Sequence, residues 1–127
     1  MNKMTLIGNL TRDPEIRVVQ RNGAESTVTN FTVAVYDGYG EHKRTEFVRI
    51  SAWNGLGSTC ALYLKKGVKV YAEGPVSVSA YTNREGMPVG QMDMRLDRIE
   101  FLSRVFGTED AADESVTPAE DDIEALL

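Results

Sequence analysis

The chain has 127 residues, 42% of them hydrophobic, a formal charge of −5 and one cysteine. That length allows one domain, or one domain with a tail, and a lone cysteine, Cys60, excludes an internal disulfide framework and fits a reducing compartment. No segment approaches the roughly 20 apolar residues of a membrane span, and "MNKMTLIGNLTRDP" lacks the apolar run of a secretory signal, so Asn9-Leu10-Thr11 is read as a chance sequon.

In chain order, "MNKMTLIGNL" predicts an opening strand and "EIRVVQ" an extended continuation after the Asp13-Pro14 break. Asn22-Gly23 then supplies a hairpin turn. "STVTNFTVAVYD" is a β-branched run, "DGYGEHKR" a glycine-containing charged loop, and "TEFVRISAWN" a further strand. "GLGSTCALYLKKG" is the helical candidate. Leu56, Cys60 and Leu64 recur at a spacing of four, Leu62 and Tyr63 add apolar bulk, and Lys65, Lys66 and Gly67 suit a C-terminus. "VKVYAEG" and "VSVSAYT" predict strands, with Val68, Val70 and Ala72, then Val76, Val78 and Ala80, as core faces. After the turn "NREG", the last strand alternates through Met92, Met94 and Leu96 and then slips to Ile99 and Phe101. That change of parity predicts a bulge at Asp97-Arg98.

Strands at short, glycine-marked intervals with one helix between the middle pair give an all-β fold class. The expected architecture is a five-stranded OB-fold barrel with one short helix, and an antiparallel sandwich is the structural alternative. The barrel is expected over residues 1–104. Residues 105–127 are expected to form a disordered acidic tail, because their composition cannot bury enough surface to offset chain entropy.

The net charge conceals an asymmetry. Residues 1–108 hold all 14 Lys and Arg against 11 acids, whereas residues 109–127 hold 8 acids and no base. A basic domain followed by an acidic tail suggests a polyanion ligand for the first and a different partner for the second. The tail ends in "EDDIEALL", placing Ile123, Leu126 and Leu127 after a run of acids.

In "TEFVRISAWN" the two faces differ. Val48, Ile50 and Ala52 point one way, while Phe47, Arg49, Ser51 and Trp53 point the other. Tyr39 lies in the charged loop near Lys43 and Arg44, and Tyr71 and Tyr81 fall on the more polar parity of later strands. Rings interleaved with cations suit single-stranded nucleic acid: bases stack on the rings and phosphates meet Lys and Arg. The same rings could also line an oligomer interface. Other chemistry lacks its residues. One histidine, His42, cannot build a zinc site or a Ser-His-Asp set. Neither "GYGEHK" nor "NGLGSTC" completes a dinucleotide fingerprint. No cofactor, metal or catalytic group is expected.

Taken in order, "MNKMTLIGNLTRDPEIR", "NFTVAV", "EFVRISAWN", "YLKKGVKVYAEG" and "YTNREG" resemble the bacterial single-stranded DNA-binding protein family over about residues 1–103. The resemblance implies an OB-fold that assembles as a homotetramer and wraps single-stranded DNA. It implies stacking roles for Tyr39, Phe47, Trp53 and Tyr81. It also implies work in DNA replication, repair and recombination, and a cytoplasmic, nucleoid-associated location. Candidate phosphate contacts are Lys3, Arg12, Lys43, Arg44 and Arg49. Two features depart from the family pattern. Three ring positions often held by tryptophan are Tyr39, Phe47 and Tyr81, with smaller faces. The family's terminal acids followed by Ile-Pro-Phe are here "EDDIEALL". Asp121, Asp122, Ile123, Leu126 and Leu127 are the expected contacts to replication and repair proteins.

The leading expectation is therefore a non-enzymatic, sequence-independent single-stranded DNA-binding protein. A protein-interaction subunit with the rings buried in an assembly is the rival. A nuclease is disfavoured, because the folded part offers no clustered carboxylates or histidines.

Overall fold

The computed structural model describes residues 1–103. The tail expected over 105–127, with its partner-binding candidates, lies outside the described residues.

Eight strands and one α-helix follow in sequence: β1 (Met4–Leu10), β2 (Glu15–Arg21), β3 (Ala24–Asp37), β4 (Arg44–Trp53), α1 (Asn54–Tyr63), β5 (Lys69–Gly74), β6 (Val76–Thr82), β7 (Pro88–Arg95) and β8 (Arg98–Phe101). Asn22 and Gly23 adopt φ of 53° and 80°, the paired positive values of a tight primed turn, and this sets Arg21 opposite Ala24. β3 then runs antiparallel to β4 from Val28 opposite Trp53 to Asp37 opposite Arg44.

Five strand paths close the OB-fold barrel. β1 pairs with β3 and β5, β3 with β4, β4 with β7 in parallel, and β5 with β8. β7 and β8 are one path interrupted at Leu96-Asp97. There the Leu96 N–H donates to Ser51 O on β4 and the Asp97 N–H donates to Glu73 O on β5. The parity slip expected as a bulge is thus a complete break, which lets a single chain path bridge β4 and β5. Met94, Leu96, Ile99 and Phe101 are all buried across it. β2 extends the sheet beyond β3, and β6 extends it beyond β7.

Val33, Val70, Ala72, Cys60 and Ile99 have no exposed surface, and Val48, Ile50 and Leu64 pack into the same core. The buried Thr29 hydroxyl donates to Gly57 O at 2.9 Å, which joins β3 to the helix without an unpaired polar group. Burial pushes the Cys60 thiol up to about 12, so it behaves as a small apolar side chain.

Three expectations are corrected. Val78 and Ala80 are exposed, because the β6–β7 hairpin joins the barrel at its base, where Met92–Arg95 pair with β4 and Val76 bonds Asn2, and no described residue covers its outer part. Leu62 is exposed on the helix. The helix ends at Tyr63, so Lys65 and Lys66 lie past it: Leu64 turns extended to bury its side chain, and Gly67 takes φ +91° with its N–H bonded to Leu10 O.

Candidate nucleic-acid interface

Strand register decides which side chains share a surface. On β4, Phe47 and Arg49 are exposed and Ser51 and Trp53 half-buried, opposite the buried Val48, Ile50 and Ala52. Arg49 pairs with Thr32 on β3 and with Asp93 on β7, and Ser51 pairs with Asn30 and Arg95. One strand further out, Arg17 pairs with Val28 and Glu15 with Asn30 on one side, and Ser77 pairs with Asp93 and Tyr81 with Val89 on the other. Paired residues project to the same side of a sheet. Phe47, Arg49, Trp53, Arg17, Arg21 and Tyr81 therefore belong to one outer face of β2–β3–β4–β7–β6.

Over β2, β3 and β4 this face holds an open groove of about 570 Å³, lined by Arg12, Arg17, Phe47 and Arg49 together with Thr11, Asp13, Glu15, Asn30 and Thr32. Phe47 is 58% exposed, although it is a large apolar ring at mid-sheet. An uncovered ring beside three guanidinium groups suits a flat, charged ligand. Acids temper the cations. Arg49 Nε lies 3.5 Å from Asp93 Oδ1, and the same carboxylate accepts from Gln91 Nε2 at 3.2 Å. Asp13 Oδ1 accepts the Lys66 backbone N–H at 2.8 Å, an interaction that ties the strand-to-strand connection to the segment after the helix. At the end of β4, the Arg21 guanidinium carbon lies 4.7 Å from the Trp53 ring centroid.

Among the residues expected from sequence, the fold gathers Arg12, Phe47, Arg49 and Trp53 on this face and adds Tyr81 on its outlying hairpin. Tyr39 is 88% exposed in the loop joining β3 to β4, and Lys43 is exposed in the same loop. Two cations lie elsewhere. Arg44 has the opposite strand parity to Phe47 and pairs with Glu46 at 3.6 Å. Lys3 sits on the β1–β5–β8 wall, 3.2 Å from Glu73. On that wall Tyr71 donates its hydroxyl to Glu73 at 2.6 Å. This bond raises the Tyr71 phenol above its ordinary value, and the Tyr71 and Lys3 bonds hold Glu73 below its own.

Sequence reasoning missed Arg17, Arg21 and Asp93. The signal for the two arginines was present in "EIRVVQR": residues 17 and 21 share a strand parity, and the Asn-Gly turn fixes the hairpin that carries them alongside β3 and β4.

Comparison with known proteins places the chain in a family. The model of the family described as "Single-strand binding protein family" matches residues 1–102. A protein named "Single-stranded DNA-binding protein" from Bifidobacterium longum is 36% identical over 103 residues, 76% of this chain and 46% of the relative. "Single-stranded DNA-binding protein 1" from Chlorobaculum tepidum is 38% identical over 90 residues, 67% of this chain and 54% of the relative. A "Single-stranded DNA-binding protein" from Halalkalibacterium halodurans is 31% identical over 105 residues, 80% of this chain and 61% of the relative. The chain thus spans about half to three-fifths of the length of these relatives. The chain belongs to the single-strand binding protein family.

Proposed function

We propose that this chain binds single-stranded DNA without sequence preference, through the outer face of β2–β3–β4–β7–β6. The observation that carries the reading is the shared face of Phe47, Arg49 and Trp53 on β4, with Arg12 and Arg17 across the groove from Phe47. Stacking on a ring is indifferent to base identity, because every base presents a π-face, and each stacked base contributes about 1–3 kcal/mol. Guanidinium groups beside the rings supply the phosphate contacts. A duplex hides its bases in the stack and offers such a face only phosphates. Tyr39, Tyr81 and Lys43 extend the track along the two projecting hairpins, and the names of the relatives support the same ligand.

Residues 1–104 act as the DNA-binding domain and assemble as a homotetramer. Ile7, 50% exposed on the β1 wall beside Tyr71, supports burial of that wall by another copy. The acidic tail recruits replication and repair proteins through Asp121, Asp122, Ile123, Leu126 and Leu127, and repels DNA through its eight acids.

The test is competition. Labelled oligo-dT bound to the protein is challenged with unlabelled oligo-dT, mixed-sequence single strands and duplex of equal length. The two single strands are expected to compete alike and the duplex poorly. Equal competition by duplex overturns the stacking assignment.

A further inference from the structure

Trp53 is the largest ring on the proposed face, and a guanidinium already lies over it. The guanidinium carbon of Arg21 stands 4.7 Å from the ring centroid, within range of a cation–π contact. Trp53 is half-buried at the end of β4, opposite the buried Val28. Arg21 is itself exposed, so the guanidinium approaches the ring from solvent. Arg21 is the last residue of β2, next to the Asn22-Gly23 turn at the tip of an exposed hairpin. Among the described residues it makes no ion pair, whereas Lys3, Arg44, Arg49, Arg95 and Arg98 each have a carboxylate partner. The guanidinium contact of Arg21 is the Trp53 ring.

A guanidinium and a nucleobase are both planar, and both bind the same side of an indole. They cannot occupy it together. An exposed cation–π contact is weaker than a stacked base, so a base wins the exchange. The displaced guanidinium is then a free cation one side chain away from a base that carries its own phosphate. We propose that Arg21 is a stand-in for a base on Trp53, which single-stranded DNA displaces onto an adjacent phosphate as it binds. The inference rests on single-stranded DNA being the ligand of this face. Arg21 shields the indole in the free protein and supplies one phosphate contact in the complex.

The experiment compares the wild-type chain with Arg21→Ala and Arg21→Lys. Without DNA, the emission of Trp53, the single tryptophan of the chain, is expected to shift to the red in Arg21→Ala and to become more open to acrylamide. With oligo-dT across a range of salt, the log–log slope for Arg21→Ala is expected to be shallower by about 0.7, the loss of one phosphate contact. The variant is then weaker than wild type at low salt. At high salt, where the phosphate term fades but the ring needs no clearing, it is expected to bind tighter by roughly two- to fivefold. The two salt lines cross. Arg21→Lys keeps the charge and loses the flat group, so it is expected to keep the wild-type slope with a more accessible indole. Unchanged Trp53 accessibility in free Arg21→Ala, or parallel salt lines, overturns the exchange. Absence of oligo-dT binding by the wild-type protein overturns both this inference and the reading beneath it. It differs from failure of the exchange alone, in which the wild type binds and the lines run parallel.

Discussion

Arg49 on β4 and Asp93 on β7 lie side by side in a parallel pair, Nε to Oδ1 at 3.5 Å, on the face that carries Phe47. A carboxylate at mid-face opposes phosphate and also fixes the arginine in place. Exposed pairs of this kind contribute only about 0.2–1 kcal/mol, so losing the pair costs little. Asp93→Asn is accordingly expected to tighten oligo-dT binding several-fold at low salt and to steepen its salt dependence. Arg49→Ala is expected to weaken binding and flatten the slope by about 0.7. Titrations at three or more salt concentrations check both.

Phe47 offers the cleanest separation of binding from folding. It is 58% exposed, so Phe47→Ala is expected to change unfolding free energy by no more than about 0.5 kcal/mol, as surface substitutions do. The same change is expected to weaken single-stranded DNA binding by about 1–3 kcal/mol. Trp53→Ala is expected to lose as much binding, with a larger stability cost because the ring is half-buried at the start of α1. Urea unfolding run beside the titrations would expose the opposite pattern, lost stability with retained affinity, if these rings were mere packing.

The Tyr71–Glu73–Lys3 cluster carries a pH signature. The Tyr71 hydroxyl, and after it Lys3, hold Glu73 below its ordinary value of 4.5. Its contribution to stability is present above that value and is lost as pH falls through the depressed one. The Glu73 bond raises Tyr71 above 10.0, so its contribution is present below that value and is lost as pH rises through the raised one. Tyr71→Phe is expected to flatten both the acid and the alkaline limbs of the stability profile, and Glu73→Gln likewise, as read by denaturant midpoints across pH. An unchanged alkaline limb in Tyr71→Phe would contradict the assignment.

Gly74 marks where β5 hands over to β6. A Cβ there would fall on the Arg95 carbonyl oxygen, a backbone atom that cannot swing aside. Gly74→Ala is expected to destabilise the barrel by more than the roughly 1 kcal/mol typical of a point change. Thermal unfolding of the variant checks it.

Alternation along a strand says which residues share a face, and this much was legible. Phe47, Arg49 and Trp53 opposite Val48, Ile50 and Ala52 emerged from "TEFVRISAWN" alone, and Asn22-Gly23 emerged as a turn. Alternation does not say which face is covered. Val78 and Ala80 looked like core because β6 alternates well, but only pairing shows that the hairpin stands off the barrel. Lys3 and Arg44 are expected as phosphate contacts because they are basic and near the motifs, and alternation alone does not show that they lie off the face of Phe47, beside Glu73 and Glu46. The break at Leu96-Asp97 left a parity signal, but its purpose, joining β4 to β5, is a property of barrel closure that no single strand encodes.

The face bearing Phe47, Arg49 and Trp53 is expected to receive unpaired DNA. The most direct measurement is titration of Trp53 fluorescence with oligo-dT at several salt concentrations. The account predicts strong quenching that saturates, with affinity falling as salt rises at a slope of about 0.7 per phosphate neutralised. Saturating oligo-dT that binds and leaves the Trp53 emission unmoved, or fails to bind at low salt, would contradict it.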